Sequence, residues 1–289
     1  TGDFVPKDAL IIKVLRSPHA QARIKSIDTS KAKLIPGVEA IFTYEDVPNT
    51  RFTLAGQTYP EPSAYDALIL DPVVRYVGDE VALVVAKDEA TALKAMPLIK
   101  VEYEVQKPVL DLRTAIDHET VVHPEDDILN HISVGQDYKR NICVSYHKRV
   151  GDIEGELAKC DYVVEGTYFD QATRQSAMEP FQSFGYIDHL GRIVIVSSTQ
   201  IVFHVRRHIA RALGIPASKI RVIKPRIGGG FGSKQTACTE LMTAFVTWKL
   251  QKPCYLLYDR TEAQTCSTTR HAREWYIRVG ATKDGIIQV

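Results

Sequence analysis

The sequence has no long hydrophobic run, no excess of one charge and no closely spaced cysteines. No apolar stretch approaches the roughly 18 residues that a membrane-spanning helix requires, so no membrane segment is expected. With 36 basic and 35 acidic residues, the net charge is +1, whereas a nucleic-acid-binding module usually shows a basic excess. These absences argue against a membrane protein and against a nucleic-acid partner.

The five cysteines are widely separated and never occur as C-x-x-C. They are Cys143, Cys160, Cys238, Cys254 and Cys266. An odd number of scattered cysteines does not form a disulfide framework, and it makes a Cys-rich zinc or iron–sulfur site within this chain unexpected. Reduced thiols are typical of cytoplasmic proteins, so a cytoplasmic location is expected.

The 289 residues divide by pattern into two predicted domains and a linker, in an α+β fold. Residues 1–107 alternate strand-like runs with a short helix that Asp88 is placed to cap. Residues 108–146 carry scattered charge with few periodic signals and are predicted to be a linker. Residues 147–289 alternate strands and helices again, and a strand-like pattern is still running at Val289. The second domain is therefore expected to be incomplete, as part of a longer chain.

Two strands of the second domain are each predicted to run into a loop that precedes an amphipathic helix. The strands are Ile193–Ser197 and Ile220–Lys224, and the helices are Ile201–Leu213 and Cys238–Leu250. Gly214 is placed to end the first helix. Because both strands look parallel, the two loops could line one cleft.

The loop Arg226–Gln235 reads Arg-Ile-Gly-Gly-Gly-Phe-Gly-Ser-Lys-Gln and is the most unusual segment of the chain. Glycine allows positive φ and a close approach of the backbone to a ligand. A loop that opens a helix also presents free N–H groups to whatever lies above it. The large Phe in this loop predicts a bulky, planar or multi-atom group beside the backbone.

Familiar glycine-rich motifs fit this loop poorly. A phosphate-binding P-loop would need a glycine at Ser233 and a hydroxyl residue at Gln235, so that motif fails twice. A dinucleotide loop fits at Gly228 and Gly230 but not at its third glycine position. Asp259 could supply the acidic residue that such a site needs downstream, so this alternative stays open. A tight structural turn between strand and helix is a further alternative.

His204 and His208 stand four residues apart, a spacing that places two metal ligands on one face of a helix. The glutamate of the H-E-x-x-H motif is missing, and Arg206 and Arg207 would repel a cation. We therefore expect these histidines to be hydrogen-bonded or to face solvent.

One single glutamate and two acidic pairs are further candidates for a functional role. Glu179, in the segment Met-Glu-Pro, could act as a general acid or base, but a buried and paired structural carboxylate is the simpler interpretation. The acidic pairs Asp79-Glu80 and Asp126-Asp127 fall on predicted turns and are expected to face solvent.

Taken together, these segments resemble the molybdopterin-binding subunit of the molybdenum hydroxylases, the xanthine dehydrogenase and aldehyde oxidase family. The segments that look like its α/β-hammerhead domain are Leu15–Ala20, Tyr76–Ala82 and Ile99–Glu104. Those that look like the first part of its molybdopterin-binding domain are Gly166–Tyr168, Ser198–Gln200 and Gly228–Gly232. The resemblance covers essentially the whole chain and favours bacterial xanthine or hypoxanthine dehydrogenase-like proteins.

The resemblance implies a molybdenum–molybdopterin cofactor whose metal has no protein ligand. Gln200 would approach the oxo ligand of the metal, and Phe231 would lie against the metal centre. Gly229, Gly230 and Gly232 would bring backbone amides close to the cofactor. Gln200 and Phe231 are thus expected near molybdenum without being direct side-chain ligands.

The chemistry that the resemblance implies is hydroxylation of an electron-poor carbon, with water as the oxygen source. Electrons would leave through iron–sulfur clusters and FAD on partner domains or subunits. Gln235 stands where mammalian-type xanthine enzymes carry a glutamate that contacts the purine, so it is expected to hydrogen-bond a substrate without acting as a carboxylate. A purine such as xanthine or hypoxanthine is the expected substrate. Another N-heterocycle, an aldehyde, or a non-catalytic subunit-docking role are the alternatives.

The family's catalytic glutamate and its substrate-clamping arginine lie far downstream of this region. We therefore expect them beyond Val289 and expect no catalytic residue within this chain. The fragment is predicted to be inactive alone and to purify without molybdenum.

Overall fold

The computed structural model describes residues 1–56 and 58–289. In chain order the strands of these residues are β1 Leu10–Arg16, β2 Ala22–Asp28, β3 Val38–Phe42, β4 Val73–Val74, β5 Glu80–Ala86, β6 Lys100–Val105, β7 Tyr162–Asp170, β8 Gln182–Ile187, β9 Ile193–Ser197, β10 Ile220–Ile223, β11 Cys254–Leu257 and β12 Arg273–Ala281. The α-helices are α1 Ser30–Lys33, α2 Glu89–Ala95, α3 Ile153–Leu157, α4 Val202–Leu213, α5 Glu240–Leu250 and α6 Arg260–Thr265. The mixture confirms the predicted α+β class.

The largest sheet has seven strands in the order β10-β9-β8-β11-β1-β5-β3. β9 and β10 are parallel, as are β1 and β11, and the other neighbours are antiparallel. Leu10 of β1 pairs with Cys254 of β11, so this sheet joins strands from both predicted domains. The domain boundaries themselves stay a prediction.

Helices cover both faces of this sheet, as the buried strand β5 shows. Leu83 and Val85 belong to the apolar core that contains residues of α4 and α5. Val84 and Ala86 belong to a separate core with residues of α1 and α2. Successive side chains of a strand point to opposite faces, so β5 is apolar throughout because both of its faces are buried.

Both predicted helices of the second domain are present, but only α4, which starts one residue later than predicted, is amphipathic; the amphipathic prediction for α5 is wrong, because every residue from Glu240 to Thr247 is buried. α4 buries Val205, Ile209 and Leu213, and Gly214 follows it with a φ of 65°. α5 begins at Glu240, two residues later than predicted. The backbone N–H groups of Cys238 and Thr239 each donate to Glu240 Oε2 at 3.0 Å, which holds them in a cap before the helix starts.

Several elements have no counterpart in the sequence prediction. β2 and β4 form a second sheet with β6, in the order β4-β2-β6. The sequence patterns also do not predict the short helices α1 and α6. α6 carries a sequence signal, because Asp259 and Glu262 form a reciprocal capping box at its start.

A two-stranded ribbon of β7 and β12 completes the fold. The strands pair antiparallel from Tyr162 opposite Ala281 to Asp170 opposite Arg273. Exposed apolar and aromatic side chains lie along both strands, including Val164 and Tyr276. Among the described residues, no helix is both long and apolar enough to cross a membrane.

Candidate functional site

The site lies at one edge of the seven-stranded sheet, where β9 and β10 end. Because these neighbouring strands are parallel, the segments that follow them leave the sheet at the same edge. Gln200 follows β9, and the loop Arg226–Gln235 follows β10. The backbone N–H of Gln200 donates to the carbonyl oxygen of Lys234 at 2.9 Å. The predicted proximity of Gln200 and the glycine loop is therefore confirmed.

The glycine loop has a strained, open conformation. Gly229 and Gly232 have φ values of 96° and 90°, and Phe231 between them has a φ of 51°. A non-glycine residue in this region costs about 1–3 kcal/mol. The side chain of Phe231 is nevertheless 69% exposed, so its own packing does not offset this cost. Such strain is typical of functional sites.

The helix that follows this loop starts two residues later than expected and does not begin at the loop itself. Residues Ser233–Gln235 form a single 3-10 turn, and α5 starts only at Glu240. The side chain of Asp259 accepts the N–H of Glu262 at the start of α6, so it is engaged as a helix cap. Both findings weaken the dinucleotide-loop alternative, which needs a helix N-terminus at the loop and an acidic residue for a ribose.

The backbone amides of the loop are open to a ligand. Within residues 1–56 and 58–289, no acceptor is found for the N–H groups of Gly229, Gly230, Phe231 and Gly232. Successive unpaired N–H groups in a turn with alternating backbone conformations make a concave site that attracts negative charge. The loop therefore offers hydrogen-bond donors around the Phe231 ring.

Gly230 lets the loop approach Gln200. A Cβ at Gly230 would lie 2.5 Å from Gln200 Oε1, a distance that real Cβ atoms do not adopt. Gln200 Oε1 is buried and accepts no hydrogen bond from any described residue. A buried amide oxygen without a donor is costly, and it points to a hydrogen-bonding group that completes the site.

Gly228 brings the other end of the loop against Glu179. A Cβ at Gly228 would lie 2.7 Å from Glu179 Cβ. Glu179 Oε2 accepts the N–H of Gly228 at 2.6 Å and lies 3.2 Å from Lys234 Nζ. Burial alone would raise the pKa of Glu179, but the Gly228 N–H and the Lys234 ammonium outweigh it and hold the pKa below its usual value. The expected paired structural carboxylate is confirmed.

Gln235 lies where the loop meets the long segment 49–66. Its backbone N–H donates to Gly232 O at 3.1 Å, and its side chain is half-buried. A Cβ at Gly56 would lie 2.6 Å from Gln235 O and 2.3 Å from Ile201 Cδ1. Gly56 therefore borders Gln235, at the same edge of the sheet.

His204 and His208 lie beside a buried carboxylate; His204 is hydrogen-bonded as expected, but the expectation is wrong for His208, which is buried with neither ring nitrogen hydrogen-bonded to a described residue. Glu61 Oε1 lies 3.8 Å from both His204 Nδ1 and His208 Nε2, and it is bonded to the guanidinium of Arg207. The hydroxyl of Tyr65 donates to Glu61 Oε2 at 2.9 Å. In the part of the chain that the structure describes, no group of three or more His, Cys, Asp or Glu side chains is arranged to hold a metal.

The acidic pairs behave differently from each other. Asp126 and Asp127 are exposed as expected. The solvated placement expected for Asp79-Glu80 is wrong, because Glu80 Oε1 lies 2.9 Å from Arg16 Nη1 and burial raises the pKa of Asp79. This pair stabilises β1 against β5 and plays no visible part in the site.

Three residues that support the site were not singled out from the sequence. The side chain of Lys234 is 2% exposed and paired with Glu179. Gln182 Nε2 donates to Glu179 Oε1 at 2.8 Å, and the Tyr255 hydroxyl donates to Gln182 Oε1 at 2.6 Å. No local sequence signal connects these residues, because they come from separate strands and loops.

These groups fit a polar, multi-atom cofactor at this edge. The unpaired amides supply donors, and the exposed ring of Phe231 supplies an apolar contact. The half-buried Gln200 side chain supplies an amide whose buried oxygen has no partner among the described residues. The oxygen and nitrogen of an amide are assigned from their hydrogen bonds. Because the amide oxygen of Gln200 has no partner among the described residues, the side chain can present either its NH2 donor or its oxygen acceptor to a ligand.

Comparison with known proteins identifies matching families over most of the chain. Residues 134–289 match the molybdopterin cofactor-binding domain, and residues 1–107 match the aldehyde oxidase and xanthine dehydrogenase a/b hammerhead domain. The chain is 38% identical to the probable hypoxanthine oxidase of Escherichia coli K12, covering 98% of this chain and 32% of that protein.

Two further relatives extend the comparison. The nicotinate dehydrogenase large molybdopterin subunit of Eubacterium barkeri is 31% identical, over 99% of this chain and 63% of that subunit. The aldehyde oxidoreductase structure from Desulfovibrio gigas superimposes with a TM-score of 0.81 at 26% identity, covering 99% of this chain and 31% of that one. The chain thus spans about a third of the length of the Escherichia coli and Desulfovibrio proteins.

Proposed function

Because the chain belongs to the aldehyde oxidase and xanthine dehydrogenase family and carries part of its molybdopterin cofactor-binding domain, we propose that the site is one wall of the cofactor pocket of a molybdenum hydroxylase. The observation that carries this proposal is the contact between Gln200 and the glycine loop. It places a buried amide oxygen without a donor beside unpaired N–H groups and an exposed aromatic ring.

Each residue of the wall has a proposed part. With the cofactor bound, Gln200 would donate from its amide nitrogen to the oxo ligand of the metal, which can only accept, and Phe231 would pack its ring beside the metal centre. The N–H groups of Gly229, Gly230 and Gly232 donate to negatively charged atoms of the cofactor. The absence of a side chain at Gly230 is what allows Gln200 to reach the same place.

When bound, the molybdenum group supplies the oxidation of an electron-poor carbon with an oxygen atom that comes from water. The residues of this chain bind and orient that group and exclude water from one side of it. We place the activity in the whole protein and not in these 289 residues, with iron–sulfur and FAD partner domains or subunits accepting the electrons. The five unpaired thiols support a cytoplasmic location.

A purine such as xanthine or hypoxanthine is the substrate that we propose. The name of the Escherichia coli relative supports it, and Gln235 lies at the site edge with an amide that can both donate to and accept from a purine. Nicotinate-like heterocycles and aldehydes are the competing classes, since relatives named for both match the chain at similar coverage.

Substrate-dependent dye reduction by the whole protein, purified with its partner subunits, tests this proposal. Xanthine, hypoxanthine, nicotinate and a simple aldehyde are compared at equal concentration. Turnover restricted to purines would support the proposal, whereas turnover of nicotinate or the aldehyde alone would refute the purine assignment. If no substrate turns over and the protein holds no molybdenum, the chain is a docking domain and not part of an enzyme.

The variant Gln235→Glu sharpens the substrate test. If Gln235 contacts the substrate, a carboxylate at this position changes KM or the order of preference among the four compounds. Unchanged KM values for all of them would remove Gln235 from the substrate site.

A further inference from the structure

We propose that Glu179 is the positioning residue of the glycine loop, because its carboxylate fixes both ends of the segment Gly228–Lys234. In holding those ends it also sets the places of Gln200 and Phe231. This inference rests on the function proposed above, since it assigns Glu179 a part in shaping the cofactor wall.

The carboxylate of Glu179 is fully engaged. Oε2 accepts from the Gly228 N–H at 2.6 Å and from Lys234 Nζ at 3.2 Å. Oε1 accepts from Gln182 Nε2 at 2.8 Å and from the Thr1 hydroxyl at 3.3 Å. An ionised carboxylate offers about four acceptor positions, and two of the four donors belong to the loop. One side chain therefore ties together residues that stand at opposite ends of the loop.

The orientation of this carboxylate is set by the seven-stranded sheet. Gln182 is the first residue of β8, and its side chain is held in turn by the hydroxyl of Tyr255 on β11 at 2.6 Å. The backbone adds a further bond, because the N–H of Glu179 donates to Gly228 O at 3.0 Å. Glu179 thus connects the loop to the sheet by hydrogen bonds on both sides.

Lys234 connects Glu179 to Gln200. Its side chain is 2% exposed, and a buried ammonium needs an anionic partner, which Glu179 supplies. The carbonyl oxygen of the same lysine accepts the N–H of Gln200 at 2.9 Å. Phe231 lies between the two fixed ends, with a φ of 51° that persists only where the surroundings determine it.

Hydrogen exchange of the loop in the variant Glu179→Gln tests the proposal without any bound cofactor. Ser233 and Gln235 donate to carbonyl groups within the loop, and Gln200 donates to Lys234, so their amides report the loop conformation. We expect these amides to exchange about tenfold faster in the variant, since a hydrogen bond to a charged group is lost. Exchange at the wild-type rate would overturn the proposal.

Glu262→Gln is the matched control for loss of a half-buried charge. Its side chain is 13% exposed, as is that of Glu179, and it pairs with Lys13 and Arg16 outside the loop. We expect it to lower the urea midpoint while leaving exchange at Gln200, Ser233 and Gln235 unchanged. Equal acceleration in both variants would mean that Glu179 contributes only general stability, which would also overturn the proposal.

The double variant Glu179→Ala, Lys234→Met separates positioning from charge balance. It removes the unpaired buried ammonium, so we expect its urea midpoint to recover relative to Glu179→Gln. Loop exchange should stay fast, because Glu179→Ala leaves the Gly228 N–H without its acceptor. A loop that exchanges at the wild-type rate in the double variant would overturn the positioning role.

The molybdenum content of the whole wild-type protein is measured in parallel. It tests the proposed function independently, because loop exchange reports Glu179 whether or not a cofactor is present. A protein without molybdenum but with a loosened loop in Glu179→Gln would refute the cofactor wall and retain the positioning role.

Discussion

The glycine loop and the β7–β12 ribbon both expose apolar side chains, but they differ in the contacts that connect them to the rest of the chain. The loop is fixed from within the chain by Glu179 and Lys234, which connect it to the seven-stranded sheet. The ribbon has exposed apolar side chains on both strands, such as Val164 and Tyr276. The loop is therefore held by contacts within this chain, and we expect substitutions of exposed side chains in the ribbon to cost less stability than substitutions in the core.

Large-to-small substitutions should show the greatest difference in the free energy of unfolding between the buried core and the ribbon. Phe245 of α5 is fully buried, and Phe245→Ala is expected to cost about 3–5 kcal/mol through lost burial and a cavity. Tyr276 is 66% exposed, and Tyr276→Ala should cost less than about 1 kcal/mol. Urea unfolding of both variants measures this contrast. Equal costs would show that the ribbon is part of the cooperative core.

Acidification should lower the free energy of unfolding through protonation of His208 on α4. Burial lowers its pKa to about 4, with Arg207 and His204 acting in the same direction and Glu61 opposing them. The unfolded chain takes up a proton below about pH 6.5, whereas the folded one stays neutral until about pH 4. The free energy of unfolding should therefore fall by up to roughly 3 kcal/mol across this range.

Urea unfolding at a series of pH values in wild type and His208→Leu measures this slope. The variant should lose most of the slope between pH 6.5 and about 4, because it lacks the titrating group. Below that range Glu61, whose pKa is lowered, adds a further loss that the variant retains. An unchanged slope in His208→Leu would contradict the assignment.

Glycine-to-alanine substitutions compare the loop with the ribbon directly. At Gly230 a Cβ would lie 2.5 Å from Gln200 Oε1 and 3.3 Å from its Cγ, so Gly230→Ala must displace the half-buried Gln200 side chain and is expected to cost about 1 kcal/mol. At Gly166 of β7 the nearest atoms belong to the exposed side chain of Tyr168, at 3.1 Å, which can move aside. Gly166→Ala should therefore change the unfolding free energy by less than about 0.5 kcal/mol. Similar values for both would mean that Gln200 and the loop are not tightly packed.

Replacing an aromatic residue by glycine should give the smallest effects, with opposite signs in the two regions. Phe231 is exposed at a positive φ, so Phe231→Gly relieves strain and should stabilise the chain by about 0.5 kcal/mol. Phe169 is exposed within β7, and Phe169→Gly should destabilise by about 0.5–1 kcal/mol. Thermal unfolding distinguishes the signs. Destabilisation by Phe231→Gly would show that the ring contributes to folding and is not reserved for a ligand.

Local patterns in the sequence predicted the elements that carry the site. The apolar spacing of α4 and the glycine after it are sufficient to define that helix, because burial on one face and a left-handed C-terminal residue leave direct sequence signals. The strands β9 and β10 also end near their predicted positions. Their parallel pairing explains why Gln200 could be associated with the glycine loop before the structure was known.

The support beneath the site could not be predicted, because it depends on contacts between distant parts of the chain. Glu179 and Lys234 are 55 residues apart, and no periodicity connects them. The pairing of β1 with β11 joins the two predicted domains in one sheet, a long-range contact without a local signature. α6 is different, because the capping-box spacing of Asp259 and Glu262 is visible in the sequence, where Asp259 enters only as the acidic residue of the dinucleotide-loop alternative.

The most direct test of the central claim is the molybdenum content per polypeptide, measured by elemental analysis. Wild type and Gly230→Ala are isolated as whole proteins with their partner subunits, from cells that make the cofactor. We predict close to one molybdenum per wild-type chain and a severe loss in Gly230→Ala, since a Cβ there displaces Gln200. No molybdenum in the wild-type protein, or a full content in the variant, would contradict the claim that Gln200 and the glycine loop hold the cofactor.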